Sequence, residues 1–189
     1  MEWCVDYLIL GSGAAGHYAA ETIREQDLRG SILMLTEESA PTYKRPMLSK
    51  SPLIRFKKDR LSVCGEAWYR EQRIETLYHC RILSLDAGKK CVETDAGEFH
   101  YQKCIYALGG YNFVPPFPGH ELRGVLTVRR TEDLRMIKEY ALGENNAVVI
   151  GGGVIGLEIA LEMQRYGLQV TVLEASPRLM PRQLDPQTS

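Results

Sequence analysis

The sequence has almost no net charge: 23 Lys and Arg stand against 24 Asp and Glu, leaving −1 over 189 residues. That balance offers no basic excess for nucleic acid and no polybasic stretch for an anionic membrane surface. No apolar run approaches the ~20 residues of a membrane span. The opening "MEWCVDYLIL" has no basic region ahead of its apolar stretch, so it does not read as a signal peptide. Cysteine is sparse and scattered, since Cys4, Cys64, Cys80, Cys91 and Cys104 form no CxxC pair. Neither a zinc site nor a disulfide framework is expected, and no metal ligands are assigned. The thiols read as buried, free groups of a cytoplasmic protein. Low-complexity segments are missing as well.

What is present is a repeated glycine turn. "LILGSGAAGHYAA" (8–20) and "VVIGGGVIGLE" (148–158) each run from an apolar strand through three spaced glycines into a helix. In the first region Tyr7–Leu10 reads as a buried strand, Ala14–Arg24 as a helix and Ser31–Thr36 as a second strand. Residues 40–61 break into Pro, Lys and Arg, which predicts loop or short-helix chemistry. Beyond them, short β-prone runs separated by Asp-Ala-Gly at 86–88 and 95–97 predict a small antiparallel meander, followed by an apolar strand over Cys104–Leu108.

"VPPFPG" (114–119) cannot continue a helix or a central strand and marks a linker. We therefore expect two domains, 1–113 and 114–189. In the second, Thr131 is the expected N-cap of a helix presenting Leu134, Ile137 and Ala141, with Gly143 stopping it. Ala147–Ile150, a helix over 154–166 and Gln169–Leu173 then repeat the strand–helix–strand order. The fold class is α/β, with two Rossmann-like units and the meander. Two parallel strands and one crossover helix make a thin layer, so one face of the second unit should be apolar and poorly covered.

Each turn has a physical logic. In Gly11-Ser12-Gly13-Ala14-Ala15-Gly16 the first glycine permits the tight turn and the second clears space for a pyrophosphate. The third lets helix and strand pack closely, while the helix N-terminus offers N–H groups to the phosphates. Glu37, 21 positions after Gly16, is placed to accept hydrogen bonds from an adenosine ribose. In Gly151-Gly152-Gly153-Val154-Ile155-Gly156 the corresponding acid is Glu174, 18 positions after Gly156. A carboxylate there suits the 2′-hydroxyl of NADH and repels the 2′-phosphate of NADPH. Arg178 and Arg182 stand nearby and offer the opposite reading, so NADH is preferred rather than exclusive.

Taken in order, "GSGAAG", "PTYKRPMLSK", "ALGG" before "PPFPG", and "GGGVIGLE" with "EASPRLMPRQLD" resemble the two-dinucleotide flavoproteins, the pyridine nucleotide-disulfide oxidoreductase family. The likeness is nearest to NADH reductases of rubredoxin and of oxygenase ferredoxins, and to the flavin-binding part of NADH-dependent nitrite reductase. It implies that the first domain holds FAD and the second NAD(P)H. FAD would then meet Gly11, Gly13, Ala14, Ala15, Gly16, Glu37, Arg45, Lys50, Ile82, Ala107 and Gly109. The nicotinamide dinucleotide would meet Gly151, Gly153, Val154, Ile155, Gly156 and Glu174. Lys50 and Glu158, from different domains, would meet at the flavin–nicotinamide junction as the catalytic pair.

Three departures qualify the resemblance. Residues 39–51 contain no cysteine where disulfide reductases carry their redox pair, which disfavours dithiol chemistry and leaves simple flavin electron transfer. The usual Ala-Thr-Gly turn stands as Ala107-Leu108-Gly109. The chain also ends at Ser189, before the family's later segments. The expected function is passage of hydride from NADH to FAD and of electrons to a rubredoxin, ferredoxin or nitrite reductase centre. The competing reading is a truncated, non-catalytic nucleotide-binding module that acts by assembling with another chain. A homo-oligomer or a complementing chain would then complete the second sheet.

Overall fold

A computed structural model describes residues 3–50 and 61–189. These divide into two compact units, one built from 3–44 and 61–111, the other from 45–50 and 112–189. The division follows the linker closely but groups 45–50, early in sequence, with the second unit. Part of "PTYKRPMLSKSP" (51–52) lies outside the described residues.

The first unit contains β1 (Trp3–Leu10), α1 (Ala14–Gln26), β2 (Ile32–Leu35), α2 (Glu66–Glu71), β3 (Ile74–Leu77), β4 (Ile82–Asp86), β5 (Cys91–Thr94) and β6 (Gly97–Tyr106). Its sheet runs β3-β2-β1-β6-β5-β4. β3, β2, β1 and β6 are parallel to their neighbours, and β4, β5 and β6 form the antiparallel meander. Strand periodicity sends side chains to two faces. Leu8, Leu10, Leu33 and Leu35 join Val92, Phe99 and Tyr101 in one core, while Ile9, Ile32 and Met34 join Ala20, Tyr69 and Ile74 in the other. Burial on both faces explains why β1 and β2 read as continuous apolar runs rather than alternating ones.

α2 and β3 carry little periodic signal in sequence. Arg24 ties them down: its guanidinium, buried in the unit, donates to the carbonyls of Gln72, Arg73 and Asp27 at 2.7–2.8 Å. The Asp27 carboxylate in turn accepts from the N–H groups of Arg29 and Gly30 and from the Tyr7 hydroxyl, closing the turn into β2.

The second unit contains α3 (Thr131–Ala141), β7 (Asn146–Ile150), α4 (Val154–Tyr166) and β8 (Gln169–Leu173), with a short 3-10 turn at Arg45–Met47. The N-cap of α3 is Arg130, so Thr131 is the first helical residue and not the cap. Asp133, at the third helical position, supports this: its carboxylate reaches back to the backbone N–H groups of Arg129 and Arg130 at 2.6 and 2.8 Å, which sets the start of the helix one residue earlier. β7 and β8 are parallel, with Val149 opposite Val172. α4 stops at Gly167, which takes a left-handed φ of +108°. Val148, Ile150 and Leu173 remain 51–59% exposed, so an apolar face of the two-stranded sheet is uncovered. Among the described residues no helix is long and apolar enough to cross a membrane.

Candidate functional site

The first glycine turn links β1 to α1. Gly11 has φ +104°, and a Cβ there would stand 2.3 Å from the Ala107 carbonyl oxygen; a Cβ on Gly16 would stand 1.9 Å from that of Gly11. Both positions are closed to any other residue. Gly13 is different: a Cβ would meet nothing within 4 Å. Gly13 is also the N-cap of α1 and supplies no side-chain cap, so the helix N-terminus faces open space. This is the environment an anion requires. Ala14 and Ala15 are exposed at the same helix start.

Around this turn the fold gathers the expected positions. Ala107 N donates to Leu10 O at 2.8 Å, which sets residues 107–109 beside Gly11, and Gly109 takes φ +75°. Glu37 lies two residues past the end of β2 and is half-buried. Ile82 lies on β4, partly buried, with its side chain against the core cluster of Leu8 and Leu10.

A buried polar network behind the turn has no signature in the sequence. Ser12 Oγ donates to Thr36 Oγ1 at 2.9 Å, and Thr42 Oγ1 donates to Ser12 O at 2.8 Å. Thr42 Oγ1 also lies 2.6 Å from Tyr69 Oη, which lies 2.9 Å from His17 Nδ1. Burial raises the Tyr69 phenol and lowers the His17 imidazole, so both stay neutral at physiological pH. Only spatial proximity of residues 12, 17, 36, 42 and 69 reveals this support.

The second turn repeats the geometry. Gly151 has φ +114°, a Cβ on Gly156 would stand 2.0 Å from Gly151 O, and a Cβ on Gly153 would meet nothing within 4 Å. Gly153 is again an N-cap without a side-chain cap, and Val154 and Ile155 are exposed at the start of α4. Here the acid is already engaged. Glu174 accepts from Gly152 N at 2.7 Å and Ser176 N at 2.8 Å, and those bonds, from Ser176 and then Gly152, hold its carboxyl below the usual range. Arg178 is spent on the loop itself, donating to Leu184 O and Pro181 O. Arg182 is exposed.

Within the same unit Lys50 Nζ lies 3.1 Å from Glu158 Oε1, and Ser49 Oγ donates to Glu158 Oε2 at 2.5 Å. Ser49 first and Lys50 second hold the Glu158 carboxyl below its ordinary range. Sequence reasoning paired Lys50 with Glu158 but did not include Ser49. Arg45 donates to Arg129 O, which anchors the 3-10 turn to the segment entering α3. These bonds all lie within the second unit, to which 45–50 belongs.

Two parallel-stranded units, each with a glycine turn opening an uncapped helix, define a two-dinucleotide fold. The comparisons place it more closely. Residues 5–189 match the family described as pyridine nucleotide-disulphide oxidoreductase. The chain is 36% identical over 181 residues to a rubredoxin-NAD(+) reductase of Pseudomonas putida, covering 95% of this chain and 47% of that protein. It is 36% identical over 190 residues to an NADH oxidase of Methanocaldococcus jannaschii, covering 95% and 42%. A ferredoxin reductase structure from Rhodopseudomonas palustris superposes with a TM-score of 0.88 at 31% identity, over 97% of this chain and 46% of that one. The chain belongs to the pyridine nucleotide-disulphide oxidoreductase family. It spans about half the length of the curated relatives it matches.

Proposed function

We propose that this chain is the nucleotide-binding part of an FAD-dependent NAD(P)H oxidoreductase that delivers electrons to a protein acceptor of the rubredoxin, ferredoxin or nitrite reductase type. The first unit, corresponding to 1–113, takes FAD, and the second, 114–189 with the 45–50 turn, takes NADH in preference to NADPH. The observation that carries this reading is the duplicated cradle. In each, one glycine is closed by a carbonyl 1.9 or 2.0 Å from its would-be Cβ, and another opens onto space at a helix N-terminus.

Bound FAD would supply hydride acceptance and onward transfer of electrons. The chain's own residues bind and orient. Gly13 and Gly153 admit the pyrophosphates, Glu37 and Glu174 accept from the riboses, and Ala107 with Gly109 border the first cradle. Lys50 would offer positive charge to a bound flavin, and Glu158, 3.1 Å away, would hold that ammonium in place. The five free thiols accord with a reducing cytoplasm, where we place the protein.

The test is spectroscopic. The purified protein should be yellow, release flavin on denaturation and bleach when NADH is added. A colourless protein that fails to take up added FAD would overturn the reading. It would favour instead a nucleotide-binding module acting by assembly, for which the exposed Val148, Ile150 and Leu173 face is the supporting observation.

A further inference from the structure

We propose that Cys91, Glu98 and His100 form a site for one borderline divalent metal ion, zinc first among them, on the meander of the first unit. The sheet register builds it. Val92 pairs with Phe99 and both are buried in the core, so their neighbours Cys91 and His100, which pair with each other, point to the opposite face. Glu98 lies two residues before His100 on β6 and shares that face. One ligand atom from each, a thiol sulfur, an imidazole nitrogen and a carboxylate oxygen, all lie within 4.8 Å of one another.

The donor set is chemically coherent. Thiolate, imidazole and carboxylate are the three ligand types zinc takes, at roughly 2.0–2.3 Å, and three protein ligands leave a fourth tetrahedral position for water. Cys91 and His100 are half-buried on paired strands, so little chain entropy remains to be lost when they ligate. No sequence spacing announces the site, because its ligands come from facing strands and lack the CxxC or HxxxH pattern.

Zn2+ titrated into the purified full chain should bind with one-to-one stoichiometry, and Co2+ in its place should give a thiolate-to-cobalt charge-transfer band. Cys91→Ser should abolish that band, and His100→Gln or Glu98→Gln should weaken Zn2+ binding by about tenfold or more. Cys4→Ser, at the exposed cysteine opposite His100 on β1, should change neither. Absence of the cobalt band, unchanged affinity in Cys91→Ser and His100→Gln, or loss of the band in Cys4→Ser would overturn the assignment. A measurement without variants guards against misfolding: Zn2+ should shield Cys91 from iodoacetamide while Cys4 alkylates at its metal-free rate. Equal alkylation of Cys91 with and without Zn2+ would equally sink the site.

Discussion

Lys50 Nζ and Glu158 Oε1 lie 3.1 Å apart across 108 positions of chain, with the Ser49 hydroxyl donating to the same carboxylate. The pair is partly exposed, at 49% and 27% of the side chains, so it is worth little as a stabilising contact. The role proposed for it is positional. Lys50→Met is expected to slow flavin reduction by NADH far more than it weakens FAD binding. Stopped-flow reduction set against flavin titration checks this, and equal losses in both would count against the role.

Ser49 contributes the first cause of the low Glu158 carboxyl, ahead of Lys50. Ser49→Ala should therefore raise the Glu158 titration midpoint toward the ordinary glutamate range in a carboxyl NMR titration. Because the folded value is depressed, the associated stability is present above the unfolded glutamate pKa and is lost as pH falls through the folded one. The variant should show a shallower loss in that acid window.

Gly13 and Gly16 separate ligand binding from folding. Gly13 has φ −69° and open space where a Cβ would stand, so Gly13→Val should fold normally while FAD affinity drops by orders of magnitude. Gly16→Ala puts a methyl 1.9 Å from a backbone oxygen and should lower the melting temperature with or without FAD. Parallel thermal unfolding and flavin titration distinguish the two outcomes.

Nucleotide choice should follow Glu174, since Arg178 is held by two loop carbonyls. The expected preference is NADH over NADPH by roughly 10–100-fold in kcat/KM, about 1.4–2.8 kcal/mol. A preference for NADPH would show that exposed Arg182 reads the phosphate.

Tyr69→Phe removes the hydroxyl shared by Thr42 and His17 and should cost roughly 1–3 kcal/mol in chemical denaturation, because buried partners are left unsatisfied. The His17 imidazole is 2% exposed and its pKa is lowered by burial. Protons thus bind the unfolded chain preferentially, and stability should fall as pH drops below about 6.5. His17→Gln should flatten that slope.

The sequence by itself determined the two strand–turn–helix units, their glycines and acids, the meander and the linker. These are local: a left-handed turn, an apolar run or a proline cluster constrains its own neighbours whatever surrounds it. Strand β8 and helix α4 accordingly begin and end where the pattern places them. Tertiary structure alone decided the rest. β3 joins the parallel sheet because Met34 and Leu35 offer it an edge and Arg24 holds its approach, not because "IETL" insists on being a strand. Arg130 displaced Thr131 as the cap because the Asp133 carboxylate reaches back to it. Ser49 reaches Glu158, and Thr42 reaches Tyr69 and Ser12, only after chain segments far apart in sequence pack together. Side-chain hydrogen bonds of that kind depend on distances of about 3 Å that periodicity and composition do not encode.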